Sequence, residues 1–257
     1  MNNQSLYIVT GASRGMGAAI AAQLLQPAHV LLGISRSTNA DLEAEAARLQ
    51  ASFEQWPRDL AQPVPVADEL DAWLRRFDPS RFDEAVLINN AGVITRAGPL
   101  DGCSNAELSS ALRVGLEAAM LLSASFLRAT RGWRAQSQRR LKILNISSGL
   151  GRRAMAGAAP YCAAKAGMDH FSRAAALDEA HRDSGTRIVS LAPGVIDTDM
   201  QVQLRAADRA GFPDQGNFVQ LQASGQLSSP HDAAARVLAF LRRPDFGTNP
   251  IADVREA

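Results

Sequence analysis

Leu6-Tyr7-Ile8-Val9-Thr10, running straight into Gly11-Ala12-Ser13-Arg14-Gly15-Met16-Gly17, is the stretch that decides the fold. The first five residues are apolar and β-prone, so they read as a buried strand. Ala18 to Gln26 is rich in alanine and leucine and reads as a helix, stopped at Pro27. Between them the glycines are spaced G-x-x-x-G-x-G. Strand, glycine-rich turn and helix, in that order, are the setting a bound dinucleotide needs. The glycines let the backbone approach a pyrophosphate closely. The helix amino terminus adds unpaired N–H groups and a favourable dipole. Gly11, Ser13, Arg14, Gly15, Met16 and Gly17 are therefore candidate cofactor contacts.

Outward from this unit the same alternation repeats. His29 to Ile34 reads as a second strand and ends in Ser35-Arg36-Ser37, with no acidic residue to hold a ribose 2′-hydroxyl. Arg36 and Arg14 offer guanidinium groups to a 2′-phosphate instead, and Ser13, Ser35 and Ser37 offer hydroxyls. The expected cofactor is NADP(H). Asn39 to Gln50 reads as an amphipathic helix and Ala51 to Trp56 as a third strand, followed by Pro57-Arg58-Asp59-Leu60. Asp59 could accept from an adenine amino group or cap a turn. Ala67 to Phe77 reads as a helix. Ala85 to Ile88 reads as a central strand leading into Asn89-Asn90-Ala91-Gly92, where small residues allow close approach of a flat ring.

Ala106 to Ala129 reads as one long helix whose apolar stripe is too wide for covering a sheet alone, which points to a second subunit. Leu141 to Ile146 and Arg187 to Leu191 read as further strands. The latter leads into Ala192-Pro193-Gly194-Val195-Ile196-Asp197-Thr198, a turn at a strand's carboxyl end. Residues 199–229 lack a strong period and read as an irregular substrate lid. Ala233 to Arg242 reads as the last helix and Asn249 to Val254 as the last strand. The expected architecture is α/β: one Rossmann-type domain over residues 1–257, a doubly wound parallel sheet with helices on both faces.

Composition narrows the function. With 257 residues and a net charge of +1, nothing draws the chain toward nucleic acid or an anionic membrane. Cys103 and Cys162 are far apart and form no metal or redox pattern, so no metal is expected and a reducing, cytoplasmic setting fits. Met1-Asn2-Asn3-Gln4-Ser5 does not resemble a signal peptide, and no apolar run is expected to span a membrane.

The chemistry is carried by Tyr161-Cys162-Ala163-Ala164-Lys165, with Ser148 thirteen residues upstream of the tyrosine. Tyr161 and Lys165 are one helical turn apart on one face. A lysine ammonium there is expected to favour the phenolate and to bring the tyrosine into range for proton transfer at neutral pH. Ser148 follows the strand Leu141 to Ile146, at the sheet edge where open α/β folds bind ligands.

Taken together, Thr10 to Gly17, Asn89-Asn90-Ala91-Gly92, Ser148, Tyr161, Lys165 and Pro193-Gly194 resemble the short-chain dehydrogenase/reductase family over nearly the whole chain. A finer resemblance, in Asn145-Ile146-Ser147-Ser148, Tyr161 to Lys165, Ala192 to Gln201 and the tail Phe246 to Asp253, is to the sepiapterin reductase and benzil reductase branch. The resemblance implies that Tyr161 is the acid/base, that Ser148 orients a carbonyl, and that Lys165 holds the nicotinamide ribose. It implies NADPH-dependent reduction of a ketone or vicinal dicarbonyl, in a homodimer or homotetramer built through helix 106–129 and the Tyr161/Lys165 helix. It also implies cofactor contacts from Asp59, Leu60, Asn90, Ala91, Gly92, Pro193, Gly194, Val195 and Thr198. Asp253 falls where sepiapterin reductases anchor the pterin, although an acid there can also be structural. Where the family usually carries an asparagine in the long helix, Arg113-Val114-Gly115-Leu116 places glycine. A 3-oxoacyl reductase, another alcohol dehydrogenase of the family, or a nucleotide-sensing protein that has lost turnover are the alternatives.

Overall fold

The first strand, β1 (Gln4–Thr10), sends Leu6 and Ile8 to one face and Tyr7 and Val9 to the other, all buried. This two-sided burial is the mark of a central parallel strand. The computed structural model describes residues 4–133 and 140–256; Met1–Asn3, part of the amino-terminal reading, lie outside them. The remaining strands are β2 (His29–Ser35), β3 (Ser52–Pro57), β4 (Phe82–Asn89), β5 (Arg140–Ile146), β6 (Arg187–Ala192) and β7 (Ile251–Asp253). They form one sheet in the order β3-β2-β1-β4-β5-β6-β7, every pair parallel. The chain reverses direction of travel across the sheet between β1 and β4, which opens a crevice at their carboxyl ends.

One face is covered by α1 (Gly15–Leu24), α2 (Ala40–Leu49) and α9 (Pro230–Leu241), packing Ile20, Leu24, Leu42, Val237 and Leu241 against the sheet. The other is covered by α3 (Pro63–Leu74), α5 (Ala118–Thr130) and α6 (Ala159–His181), with Leu70, Trp73, Leu122 and Phe126 in its core. The expected doubly wound sheet, helices on both faces, is the observed one.

Differences from the sequence expectation have physical causes. Helix α3 begins at Pro63 rather than Ala67, because proline lacks only an N–H that the first turn leaves unpaired. The long helix runs unbroken over Asn105–Thr130, but its winding changes inside it: α4 (Asn105–Leu112) and α5 flank a π turn at Arg113–Glu117. Asn105–Thr130 does reach the length and hydropathy of a membrane span, contrary to expectation. Yet Leu122 and Phe126 in it are fully buried, and it packs on α3, as a core helix does. The stretch 199–229 is not irregular. It holds α7 (Asp199–Arg205) and α8 (Gln215–Ala223), whose Leu204 and Phe218 join Met155, Ala158 and Phe212 in a small satellite core. That core has no sheet beneath it, so its apolar positions follow no long period.

Candidate active site

The carboxyl ends of β1 and β4 are bound to each other by two side chains, Thr10 and Asn90. Thr10 Oγ1 accepts from the backbone N–H groups of Asn90 and Ala91, both at 2.9 Å, and the Thr10 carbonyl accepts from Asn90 Nδ2 at 2.9 Å. Gly11 (φ +69°) and Gly15 (φ +56°) adopt the left-handed region that favours glycine, turning the chain into α1. A β-carbon at Gly17 would overlap the Gly11 carbonyl, so the turn is folded tightly upon itself. The result is a cradle with the amino terminus of α1 at its floor.

Around the cradle lie the other sequence candidates. Ser13 contributes its carbonyl to Asn39 Nδ2 at 3.0 Å, which seats the start of α2. Arg14 reaches across to the first residue of α7, with Nη1 2.8 Å from Asp199 Oδ2, both side chains exposed. Ser35 Oγ donates to the Ser37 carbonyl at 2.9 Å. Arg36, at the end of β2, is exposed and makes no ion pair among the described residues. Asp59 Oδ1 accepts from the Ala61 N–H at 3.0 Å, so the turn-capping option is realised; Leu60 is buried. Gly194 (φ +86°) turns the chain after β6, the Val195 carbonyl accepts from Ser228, and Thr198 precedes α7 within van der Waals distance of the Gly15 position.

Ser148, Tyr161 and Lys165 meet beyond β5. Ser148 is extended and caps a short 3-10 turn, Gly149–Gly151, by accepting from the Leu150 N–H. Lys165 is buried and donates from Nζ to the Ile146 carbonyl at 2.7 Å; a β-carbon on Gly92 would sit 3.6 Å from that Nζ. Lys165 Nζ is 5.7 Å from the centre of the Tyr161 ring. The phenol is not lowered by this lysine as expected. Burial pushes Tyr161 above the ordinary value of 10, and the neighbouring Ser148 hydroxyl pulls it the other way. Burial also lowers the Lys165 ammonium to about 8, opposed by the negative charge of Asp169.

A glycine cradle at a switch point, followed by a serine, a tyrosine and a lysine on the next strand end and helix, accords with the comparisons. The family model for short chain dehydrogenase matches residues 5–209. The chain belongs to the short-chain dehydrogenase/reductase family. It is 29% identical to a benzil reductase ((S)-benzoin forming) of Bacillus cereus over 97% of this chain and 98% of that protein. It is 31% identical to the sepiapterin reductase of Meriones unguiculatus over 97% and 95%. A metagenomic short-chain oxidoreductase solved in complex with NADP superimposes with a TM-score of 0.71 at 28% identity, covering 98% and 96%. The family makes this chain an oxidoreductase of CH–OH and C=O groups that works with a nicotinamide cofactor.

The cradle fits such a cofactor: positive-φ glycines, unpaired N–H groups at the start of α1, and the bare Gly92 beside Lys165 leave backbone where a side chain would intrude. Asp253, the candidate substrate anchor, is buried and engaged by Arg255 through Nε at 2.9 Å and Nη2 at 2.6 Å. Those bonds hold its carboxyl below the usual range. Gly115 lies in the π turn, where a β-carbon would come within 3.1 Å of the Ala164 β-carbon. Glycine thus brings the turn close against α6.

The sequence offers the side-chain amides of Asn89 and Asn90 as ties between adjacent strand ends, but not the partners Ser123, Asn145 and Ser172 that make a buried polar layer behind the site. Asn89 Nδ2 donates to Asn145 Oδ1 at 2.8 Å and to Ser123 Oγ at 3.1 Å; Asn145 Nδ2 donates to Ser172 Oγ at 2.8 Å. These bonds tie β4, β5, α5 and α6 together. No local spacing announces them, though Asn in a run of buried strand residues is the available signal.

Proposed function

We propose that this chain reduces a ketone or vicinal dicarbonyl, of the benzil or sepiapterin kind, with NADPH. The observation that carries the reading is the convergence of Ser148, Tyr161 and Lys165 beside the glycine cradle, at one edge of the sheet. The cofactor supplies the hydride. The chain's own part is to hold the carbonyl and deliver a proton to its oxygen. A carbonyl oxygen placed between the Ser148 and Tyr161 hydroxyls, about 3 Å from each, accepts two hydrogen bonds that strengthen as it gains negative charge. A phenol held above 10 by burial is protonated at neutral pH, the form a proton donor needs in the direction of reduction. Lys165, as an ammonium, faces the place where a ribose would lie beside Gly92 and adds positive charge near the developing alkoxide. The satellite apolar core that includes Met155, Leu204 and Phe212 gives the substrate side an apolar wall, and residues 199–229 serve as its lid.

The preference for NADPH rests on Ser35-Arg36-Ser37: a guanidinium without an ion pair, beside two serine hydroxyls and no carboxylate, at the end of β2. The remaining cofactor contacts expected from Asp59, Leu60, Asn90, Ala91, Pro193, Val195 and Thr198 line the same edge. We assign the enzyme to the cytoplasm as a homo-oligomer. Exposed Leu112 and Met120 on the long helical stretch and Leu177 on α6 support the two expected contact helices. The test is NADPH oxidation with benzil, sepiapterin and simple ketones as substrates. Turnover of a dicarbonyl is expected; binding of NADPH with no turnover of any carbonyl would favour the sensing protein.

A further inference from the structure

Four elements that carry the candidate site converge on one buried carboxylate, and the reaction as described above makes no use of it. Asp169 is one turn beyond Lys165 on α6 and is 2% exposed. Its Oδ1 accepts from Ser190 Oγ of β6 at 2.6 Å, and its Oδ2 from Arg152 Nε at 3.2 Å. Arg152 follows the 3-10 turn that Ser148 caps, and its Nη2 donates to the Ala252 carbonyl of β7 at 2.7 Å. The turn lies hard against the helix: a β-carbon on Gly151 would fall 2.8 Å from the Lys165 carbonyl oxygen and 3.1 Å from Asp169 Oδ2. The Ser148 turn is therefore fastened to the Tyr161/Lys165 helix by Gly151 packing and by the Arg152–Asp169 bond.

Lys165 needs a counter-charge. Its Nζ has one short partner, a main-chain carbonyl, and a distant Met168 sulfur. Side chains one turn apart on a helix have β-carbons about 6 Å apart, and between buried groups that distance carries a substantial Coulomb interaction. Among the described residues the surroundings offer no second carboxylate. On α6 itself the neighbours are Tyr161 and Cys162. The π turn faces α6 with Gly115 and Leu116 while Arg113 and Glu117 are exposed, and β4 and β5 bring Gly92 and the Ile146 carbonyl. On α4, Glu107 is occupied in the capping box with Ser104; on α5, Arg128 pairs with Asp71. From β7, Asp253 is taken by Arg255, with Arg152 Nη1 4.0 Å away.

We propose that Asp169 is a positioning residue for this reductase: with Arg152 it locks the Ser148 turn onto the helix bearing Tyr161 and Lys165, and it is the counter-charge of the buried Lys165 ammonium. The inference rests on the proposed reduction for its kinetic consequences but not for its electrostatic ones. The chain contains only two lysines, Lys142 and Lys165, so lysine-labelled protein gives two side-chain signals that a Lys142→Arg variant assigns.

In wild type, the Lys165 signal should titrate near pH 8. In Asp169→Asn it should titrate about one pH unit lower, because the carboxylate that favours the ammonium has become neutral. In Arg152→Gln it should move upward, since Asp169 then loses its competing cation; this variant decides the matter if Asp169→Asn does not fold. For NADPH-dependent reduction of benzil, both variants should lower kcat about tenfold with little change in KM. The alkaline fall in rate should follow Lys165 in each. A Lys165 titration unmoved in a folded Asp169→Asn or Arg152→Gln variant overturns the counter-charge, and an unchanged kcat overturns the lock. If wild type reduces no carbonyl, the proposed function fails, while the titrations still judge the counter-charge.

Discussion

The chain has two tyrosines and two lysines, and the fold sets one of each at either end of its sheet. At the amino end, the Tyr7 hydroxyl donates to Glu84 Oε2 at 3.1 Å. Lys142 Nζ lies 2.9 Å from Glu84 Oε1 and also donates to the Leu241 carbonyl at 2.8 Å. One carboxylate absorbs both side chains, and Arg140 adds a third contact at 3.6 Å. At the carboxyl end, no carboxylate among the described residues is in hydrogen-bond or ion-pair contact with Lys165, whose neighbour Asp169 bonds Ser190 and Arg152 instead. Lys165 is held by a backbone carbonyl, and Tyr161 has the Ser148 hydroxyl beside it. The same two residue types thus make a closed cluster at one end and an available donor pair at the other. Reactivity here comes from what is left out of the neighbourhood as much as from what is placed in it.

The sharpest way to break this comparison is to make the same substitution at both ends. Tyr161→Phe removes the proposed proton donor and should lower NADPH-dependent carbonyl reduction by roughly 10²–10⁴-fold, with cofactor binding retained. Tyr7→Phe deletes the same atom from the closed cluster and should leave turnover within about twofold of wild type. Equal losses in the two variants, measured by steady-state kinetics, would mean that the open pair is no more chemical than the closed one.

The closed pair makes its own prediction, in stability. Burial, and then the Glu84 charge, raise the Tyr7 phenol to about 12. The folded state therefore favours the neutral phenol more than the unfolded chain does. That contribution is fully present below pH 10 and is lost as pH rises through 12. The displacement from 10 to about 12 corresponds to at most roughly 3 kcal/mol. Denaturant titrations between pH 9 and about 12 should show wild type losing stability faster than Tyr7→Phe. Parallel curves would show that Glu84 and burial do not restrain this phenol.

How much of this was legible in the sequence depends on whether a feature is local. The strands β1, β2, β4, β5 and β6 announce themselves by short, mostly apolar runs, and the glycine turn by spacing, because their causes lie within a dozen residues. Ser148, Tyr161 and Lys165 could be placed at one edge for the same reason. The start of α3 at Pro63 was hidden because a proline that ends one helix can begin another. The π turn at Arg113–Glu117 was hidden because its neighbour, Ala164, lies on another helix. Thr10, Asn145 and Asp169 act through bonds to distant elements, which no spacing encodes. The raised phenol of Tyr161 was missed because residue spacing reveals a lysine one turn away but not the burial that outweighs it.

A smaller effect separates two arginines in the same way. Arg140, at the closed end, shares Glu84 with Lys142, whereas Arg36 stands unengaged at the end of β2; Arg14, the other guanidinium near the cradle, is paired with Asp199. If the 2′-phosphate of NADPH is recognised by charge, the guanidinium without an anionic partner is the one able to meet it. A hydrogen bond to a charged group contributes about 1.5–3 kcal/mol, so Arg36→Ala should raise the KM for NADPH by roughly 10- to 100-fold. NADH, which lacks that phosphate, should change by less than about twofold, because nothing it carries replaces the lost contact. Arg140→Ala should alter neither. Should both cofactors weaken equally in Arg36→Ala, the arginine is holding the β2 end in shape rather than reading a phosphate, and the open edge would owe its cofactor preference to the serines beside it.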